Sequence, residues 1–189
     1  ADPFPLPRIE DLLDRVGSAK FLTKMDMTKG YWQVPLDEDS IPISGFVTPF
    51  GHFEWKFMPF GLRNAPATFS RLASKLLRGL ETFSGAFLDD IIIFSETWEE
   101  HLSHINQVLS RIREAGITLN LAKCEFAKAE LDYLGHHIGL GRVQPREQKV
   151  EALLKFKQPE NRKQLQQLIG LASYYRRFIP HFANIASVL

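Results

Sequence analysis

The stretch Ser84-Gly85-Ala86-Phe87-Leu88-Asp89-Asp90-Ile91-Ile92-Ile93-Phe94-Ser95 constrains the fold of this chain more than any other. Its apolar, largely β-branched run from Ile91 is of the kind found in strands buried on both faces. Asp is disfavoured in such strands, and two adjacent buried carboxylates repel and take up protons unless a cation or a turn relieves them. Asp89-Asp90 is therefore either a solvated hairpin turn, where Asp is a favoured residue, or a hairpin that presents two carboxylates to a divalent metal. The second reading needs a third ligand elsewhere.

A chain of 189 residues, 44% hydrophobic and with 15 Phe, can bury a sizeable core as one domain or as one with a smaller companion. The formal charge of +1 points to no nucleic-acid partner, so any such surface must come from local clustering. The single cysteine, Cys124, excludes an intrachain disulfide and suits a small core or strand position. No apolar run reaches the roughly 18 residues of a membrane span and no signal-peptide pattern opens the chain. The expectation is a soluble protein of a reducing, intracellular compartment with no membrane contact.

Along the chain, apolar residues at Ile9, Leu12, Leu13 and Val16 predict a short amphipathic helix, with Pro7 near its start and Gly17 as its stop. Residues 20–27 alternate like a strand and end in Met25-Asp26-Met27, so Asp26 is the candidate third ligand; it also suits a helix cap or a turn. The chain turns at Gly30, and Tyr31 and Trp32 are either core or a platform for a base or sugar. Strands are expected over 43–48 and 52–57, joined at Pro49-Phe50-Gly51, then a loop and a helix over 67–80. That helix carries Arg71, Lys75 and Arg78 on one face, a solvated stripe or a phosphate-binding one.

A long helix is expected over 97–115, capped by Thr97, with acidic residues in its first turn and arginines in its last. Its His101 and His104 lack the further ligands of a zinc site. Short strands follow over 117–138, then a turn at Gly139-Leu140-Gly141 and helices over 145–156 and 162–178. In the last of these, Tyr174-Tyr175-Arg176-Arg177-Phe178 is either nucleic-acid facing or an amphipathic surface.

Five motifs in register carry a resemblance. They are Met25-Asp26-Met27 with Gly30-Tyr31; Phe57-Met58-Pro59-Phe60-Gly61-Leu62 with Asn64-Ala65-Pro66-Ala67-Thr68-Phe69; Phe87-Leu88-Asp89-Asp90; Tyr133-Leu134-Gly135-His136; and the ending Leu168 through Pro180. In order and spacing the chain resembles, over nearly its whole length, the reverse transcriptase of gypsy-type long-terminal-repeat retrotransposon Pol polyproteins. The resemblance implies an α+β fold, a right-hand polymerase palm with an antiparallel sheet backed by helices, partial fingers, and the start of a thumb or connection. Residues 1–139 would hold partial fingers and palm, and residues 140–189 the beginning of the thumb and connection.

The implied activity is RNA-directed DNA polymerisation, a nucleotidyl transfer to a primer 3′-hydroxyl by two-metal catalysis. Asp26, Asp89 and Asp90 would be catalytic and would bind Mg²⁺ or Mn²⁺, with the Met27 carbonyl as a further ligand, and Lys123 would meet the pyrophosphate. Tyr31 is implied as the steric gate against a ribose 2′-hydroxyl, with Phe60 and Gly61 lining the same deoxynucleotide pocket. Pro66 and Phe69 would grip the template, and Leu134, Gly135 and His136 the primer; each of these also suits plain packing. The implied partners are an RNA or DNA template with its primer, deoxynucleoside triphosphates and the ribonuclease H and integrase parts of a Pol polyprotein. The setting is a cytoplasmic particle or the nucleus.

The sequence departs from the pattern in three places. Phe87 replaces the usual Tyr, Ile41-Pro42-Ile43-Ser44-Gly45 replaces a charged stretch, and the upstream basic fingers segment is missing from these residues. The alternative is a catalytically inactive, retroelement-derived module that binds nucleic acid or protein.

Overall fold

Alternation along the Ile91 to Phe94 run sets the architecture. The computed structural model of the chain describes residues 2–187. Strand β1 (Phe21–Asp26) and strands β4 (Ser84–Phe87), β5 (Asp90–Ser95) and β6 (Glu125–Lys128) form an antiparallel sheet in the order β4-β5-β1-β6. Odd-numbered residues Met25, Ile91 and Ile93 point to one face, into a core with Phe69 and Leu76 of helix α2 (Ala65–Leu76) and Val108 and Ile112 of helix α3 (Trp98–Glu114). Even-numbered Leu22, Ile92 and Phe94 point to the other face, against Leu13 and Val16 of helix α1 (Ile9–Val16). Both faces of β5 are thus dry, as the continuous apolar run predicts. The antiparallel sheet with helices against it agrees with the expected α+β palm.

On the second face lies a three-stranded antiparallel sheet of β7 (Glu130–Tyr133), β8 (His136–Gly139) and β9 (Arg142–Pro145), which adds Leu131, Tyr133 and Ile138 to that core. Strand β9 corrects the expectation of a helix from residue 145. Leu140 and Gly141, with φ of 52° and 73°, form a tight turn between β8 and β9, and the next helix, α4 (Glu147–Leu154), starts only after Pro145. The expected domain border at 139/140 falls inside this hairpin. Helix α5 (Arg162–Tyr174) is capped by the Asn161 side chain and ends four residues short of expectation. A 3₁₀ turn over Arg176–Phe178 and helix α6 (Phe182–Ala186) follow it.

Between β1 and α2, the expected strands shrink to a two-stranded hairpin of β2 (Phe46–Thr48) and β3 (Gly51–Phe53). Pro42 opens a 3₁₀ turn over Pro42–Ser44, and the Ser44 hydroxyl accepts from the Trp55 N–H at 2.8 Å, which leads the chain out of the ladder. Helix α2 is shifted from the expected 67–80, starting at Ala65 with Pro66 in its first turn, where a missing N–H costs nothing.

Arg71 of the basic stripe is paired to Asp2 at 2.7 Å and lies over the Phe4 ring, so this member of the stripe is not free for phosphate. Thr97 caps α3 through a reciprocal box with Glu100. His101 is fully buried between the Thr23 and Ser95 hydroxyls, each 2.8 Å from a ring nitrogen, and Ser95 also meets His104. Cys124 packs part-buried at the edge of the first core. Among the described residues, no helix is long and apolar enough to cross a membrane.

Candidate active site

Asp26 ends β1 and faces Asp90, the first residue of β5, across the ladder. Asp89 and Leu88 make the two-residue turn between β4 and β5. Leu88 is left-handed, with φ of 51°, a conformation that costs a non-glycine residue roughly 1–2 kcal/mol. Met27 donates its N–H to the Asp89 carbonyl at 2.9 Å and so ties this strained turn to the end of β1. The ladder register therefore brings Asp26, Asp89 and Asp90 into one corner, from stretches of chain some sixty residues apart.

Alternation puts Asp26 and Asp90 on the face of the second core, together with Lys24. Asp89 leaves the ladder and turns toward Gly30 and Phe69. Its Oδ1 is buried and has no hydrogen-bond partner. A methyl group on Gly30 would overlap that oxygen and would lie 2.8 Å from Asp89 Cγ and 2.9 Å from Phe69 Cζ. Only glycine leaves room for the carboxylate here. The sequence marks Gly30 merely as a turn, and its close approach to Asp89 has no local signal.

Burial, then the Asp26 and Asp90 charges, hold the Asp89 carboxyl above the usual carboxylate range, against a smaller opposing pull from Lys123. Burial also raises Asp90; Lys24 pulls it back, Asp26 raises it further and Lys123 lowers it. Lys123 Nζ lies 3.8 Å from Asp26 Oδ2, but its side chain is 66% exposed, so the pair contributes little. Lys24 is spent elsewhere, on Glu125 at 2.6 Å and on the Asp132 carbonyl of β7 at 3.1 Å. The corner holds more negative charge than its cations balance.

This donor set fits a hard divalent cation: carboxylate oxygens, one of them buried without a partner. Among the described residues, no three His, Cys, Asp or Glu side chains are already gathered closely enough to hold an ion. Mg²⁺ does not require that, because it is usually held by one or two carboxylates together with water and substrate phosphate.

Beside the carboxylates, the Tyr31 ring is clasped between Phe60 and Phe69, with centroids at 5.4 and 5.3 Å. Burial and the nearby Asp89 charge raise its phenol. Phe60 is 64% exposed and next to Gly61, whose φ of 92° turns the loop. Phe69 is buried beside Tyr31 and Asp89 and offers no surface for a template; Pro66 sits part-exposed one turn earlier on α2.

Leu134 and Gly135 are the two turn residues of the β7/β8 hairpin. His136 is 2% exposed, its Nδ1 donating to the Leu134 carbonyl at 2.8 Å, and it is walled by Tyr174, Tyr175 and Phe178. Of the three expected primer contacts, only Leu134 and Gly135 therefore reach the surface; His136 is a packing residue. Tyr133, beneath them, has a buried hydroxyl without a partner, and burial and Asp90 raise it.

Residues 1–138 match the family described as reverse transcriptase (RNA-dependent DNA polymerase). The chain is 41% identical, over 98% of its length, to the retrovirus-related Pol polyprotein from transposon 297 of Drosophila melanogaster, and spans 18% of that polyprotein. It is 35% identical over its whole length to the enzymatic polyprotein of cauliflower mosaic virus (strain Strasbourg), spanning 28% of it. Its structure is similar to that of a foamy viral protease-reverse transcriptase in complex with double-stranded DNA, with a TM-score of 0.87 and 26% identity over 97% of this chain and 33% of that one. The similarity extends to that enzyme in complex with an RNA/DNA hybrid, with a TM-score of 0.85 over 98% of this chain and 25% of that one.

Proposed function

The chain belongs to the reverse transcriptase (RNA-dependent DNA polymerase) family, and from that premise we propose that it carries the catalytic palm of an RNA-directed DNA polymerase within a retroelement Pol polyprotein. The observation that carries this reading is the corner itself: Asp26 and Asp90 in register across the ladder, with Asp89 at the turn and its buried oxygen unpartnered. Nothing in the geometry favours a binding-only module. We assign residues 1–139 to partial fingers and palm, and 140–189 to the start of the thumb and connection, with β9 pairing across that border with β8.

Reverse transcriptases generally use divalent metal ions, and here Asp26 and Asp89 would hold Mg²⁺ or Mn²⁺, with Asp90 and the Met27 carbonyl in support. The chemistry such ions would supply there is a lowered pKa of the primer 3′-hydroxyl and neutralisation of charge on the leaving pyrophosphate. Tyr31, braced by Phe60 and Phe69, packs under the sugar and excludes a 2′-hydroxyl, with Gly61 completing the wall. Lys123, exposed beside Asp26, is free to swing to the triphosphate and meet the leaving group. Template crosses Pro66 and the start of α2, and the primer end rests on the Leu134-Gly135 turn. The foamy viral relatives bound to duplexes make a template paired with a DNA primer the natural ligand to test. Ribonuclease H and integrase would be other parts of the same polyprotein.

Primer extension on an RNA template with Mg²⁺ and deoxynucleotides tests the reading. Extension by the wild type that Asp89→Asn abolishes would support it. Equal extension by both proteins would remove these carboxylates from the chemistry, and failure of the wild type to bind the duplex would end the proposal for this chain.

A further inference from the structure

The tyrosines of the C-terminal segment have no part in the chemistry above, yet their hydroxyls are fully committed. Tyr174 Oη donates to the Leu134 carbonyl at 2.7 Å, and Tyr175 Oη donates to the Gly135 carbonyl at 3.0 Å. These carbonyls belong to the two central residues of the β7/β8 turn, both left-handed, with φ of 47° and 74°. Each accepts a second bond: Leu134 from His136 Nδ1 at 2.8 Å, and Gly135 from the Arg146 N–H at 3.3 Å. A Cβ on Gly135 would stand 3.1 Å from Tyr175 Oη, so the clamp also needs that glycine.

The segment that bears the tyrosines lies against α1 through two surface ion pairs, which fix its place more than they stabilise it. Arg176 pairs with Glu10 at 3.1 Å and Arg177 with Asp14 at 2.8 Å, both on α1. Helix α1 packs through Leu13 and Val16 on Ile92 and Phe94 of β5, the strand that starts at Asp90. On the opposite side, Lys24 of β1 donates to the Asp132 carbonyl of β7. A closed circuit of contacts therefore runs from the carboxylate strands through β7 to the turn, across the phenols to residues 174–177, and back through α1 to β5.

We propose that Tyr174 and Tyr175 are positioning residues whose hydroxyls fix the Leu134-Gly135 turn, and with it the primer end, relative to Asp26 and Asp89. The inference rests on the polymerase reading above. Of the two readings open for this segment, a nucleic-acid face or an amphipathic surface, it gives the hydroxyls a third use, since both are taken up by main-chain carbonyls. Tyr175 is 3% exposed and Tyr174 45% exposed, so water competes for the Tyr174 bond and Tyr175 carries the larger share.

Tyr174→Phe, Tyr175→Phe and the double variant keep the aromatic box around His136 and remove only the clamp. Two readings are taken on the full 189-residue chain: hydrogen exchange of the amides over 133–137, and kcat and nucleotide KM for primer extension. The expected exchange is faster by about fivefold for Tyr175→Phe, the size of one net hydrogen bond, by less for Tyr174→Phe, and by no more than about 25-fold in the double variant. We expect kcat to fall by a similar factor, with nucleotide KM unchanged because Tyr31, Phe60 and Gly61 are untouched. A general loss of structure would instead speed exchange throughout the chain. Unchanged exchange overturns the clamp, and faster exchange with unchanged kcat overturns its positioning role. Should the wild type fail to bind or extend a primer, the polymerase reading falls and primer positioning with it, while exchange still reports the clamp. If the double variant does not fold, Tyr174→Phe, at a half-exposed ring, gives the same readings at about fivefold or less.

Discussion

Gly30→Ala is the smallest change that probes the carboxylate corner. The added methyl overlaps Asp89 Oδ1, the end of a short side chain, and also lies 2.9 Å from Cζ of the buried Phe69 ring, so both the site and the packing beneath it must shift. We expect a stability loss within the roughly 1–3 kcal/mol of overpacking, with extension down by about 10²-fold, the effect of misplacing a reacting group by about an ångström. Comparing thermal melts with extension rates checks the split. Asp89→Asn has the opposite sign in stability. Folding raises the Asp89 carboxyl, so its contribution to stability is present at low pH and lost as pH rises through the raised value. Without added metal, the variant should melt higher than the wild type at pH 7, and the gap should close near pH 3–4, where both are uncharged. A melt series over pH that shows no gap at pH 7 would remove the electrostatic strain inferred at this corner.

At the scale of elements, α3 is held to the sheet by a polar contact as well as by packing. The Ala127 N–H donates to Thr23 Oγ1 at 2.9 Å, leaving the Thr23 hydroxyl to donate to His101 Nε2, which puts the proton of a neutral ring on Nδ1, toward Ser95. Protonating His101 turns Nε2 into a donor and leaves the Thr23 proton without an acceptor. Burial lowers His101, with His104 adding to the effect; burial also lowers His104 itself, against a smaller pull from Glu100. This contribution to stability is therefore complete above about pH 6.5 and lost as pH falls through the lowered values. His136 acts in the same direction, while His137, hydrogen-bonded to Asp132, acts in the opposite one. His101→Gln should flatten the fall in melting temperature between pH 7 and 5 relative to wild type; identical pH profiles would show that the network does not titrate. Thr97→Ala, which removes the capping box of α3, should cost about 1 kcal/mol by denaturant unfolding.

For the whole molecule, the proposed metal site would couple stability to metal through the surplus of carboxylates. Titrating Mg²⁺ into the metal-free chain should raise its stability by about 2.7 kcal/mol at a hundred times the dissociation constant, and by much less in Asp89→Asn. The proposed binding to a primer–template duplex should weaken with salt although the net charge is only +1, because each Lys or Arg that meets a phosphate displaces a counterion. A salt-independent interaction would point away from nucleic acid.

The double-sided burial of β5, the Thr97 cap, the hairpin at Asp89-Asp90 and, through five motifs, the family can all be read from residue order alone. Each is a local pattern: an unbroken β-branched run, a capping residue, or a motif at fixed spacing. Strand β9 was not legible in that way, because Arg142 to Pro145 is short, has Val143 as its one strand-favouring residue, and pairs only once β8 is beside it. The same holds for the stowing of Asp89 against Gly30, the burial of His136 and the commitment of the Tyr174 and Tyr175 hydroxyls to a turn forty residues earlier. Those features depend on which backbone atoms come within 3 Å of which side chains after the sheet and helices dock. Residue type and spacing carry no record of such long-range contacts, which exist only once the chain has folded.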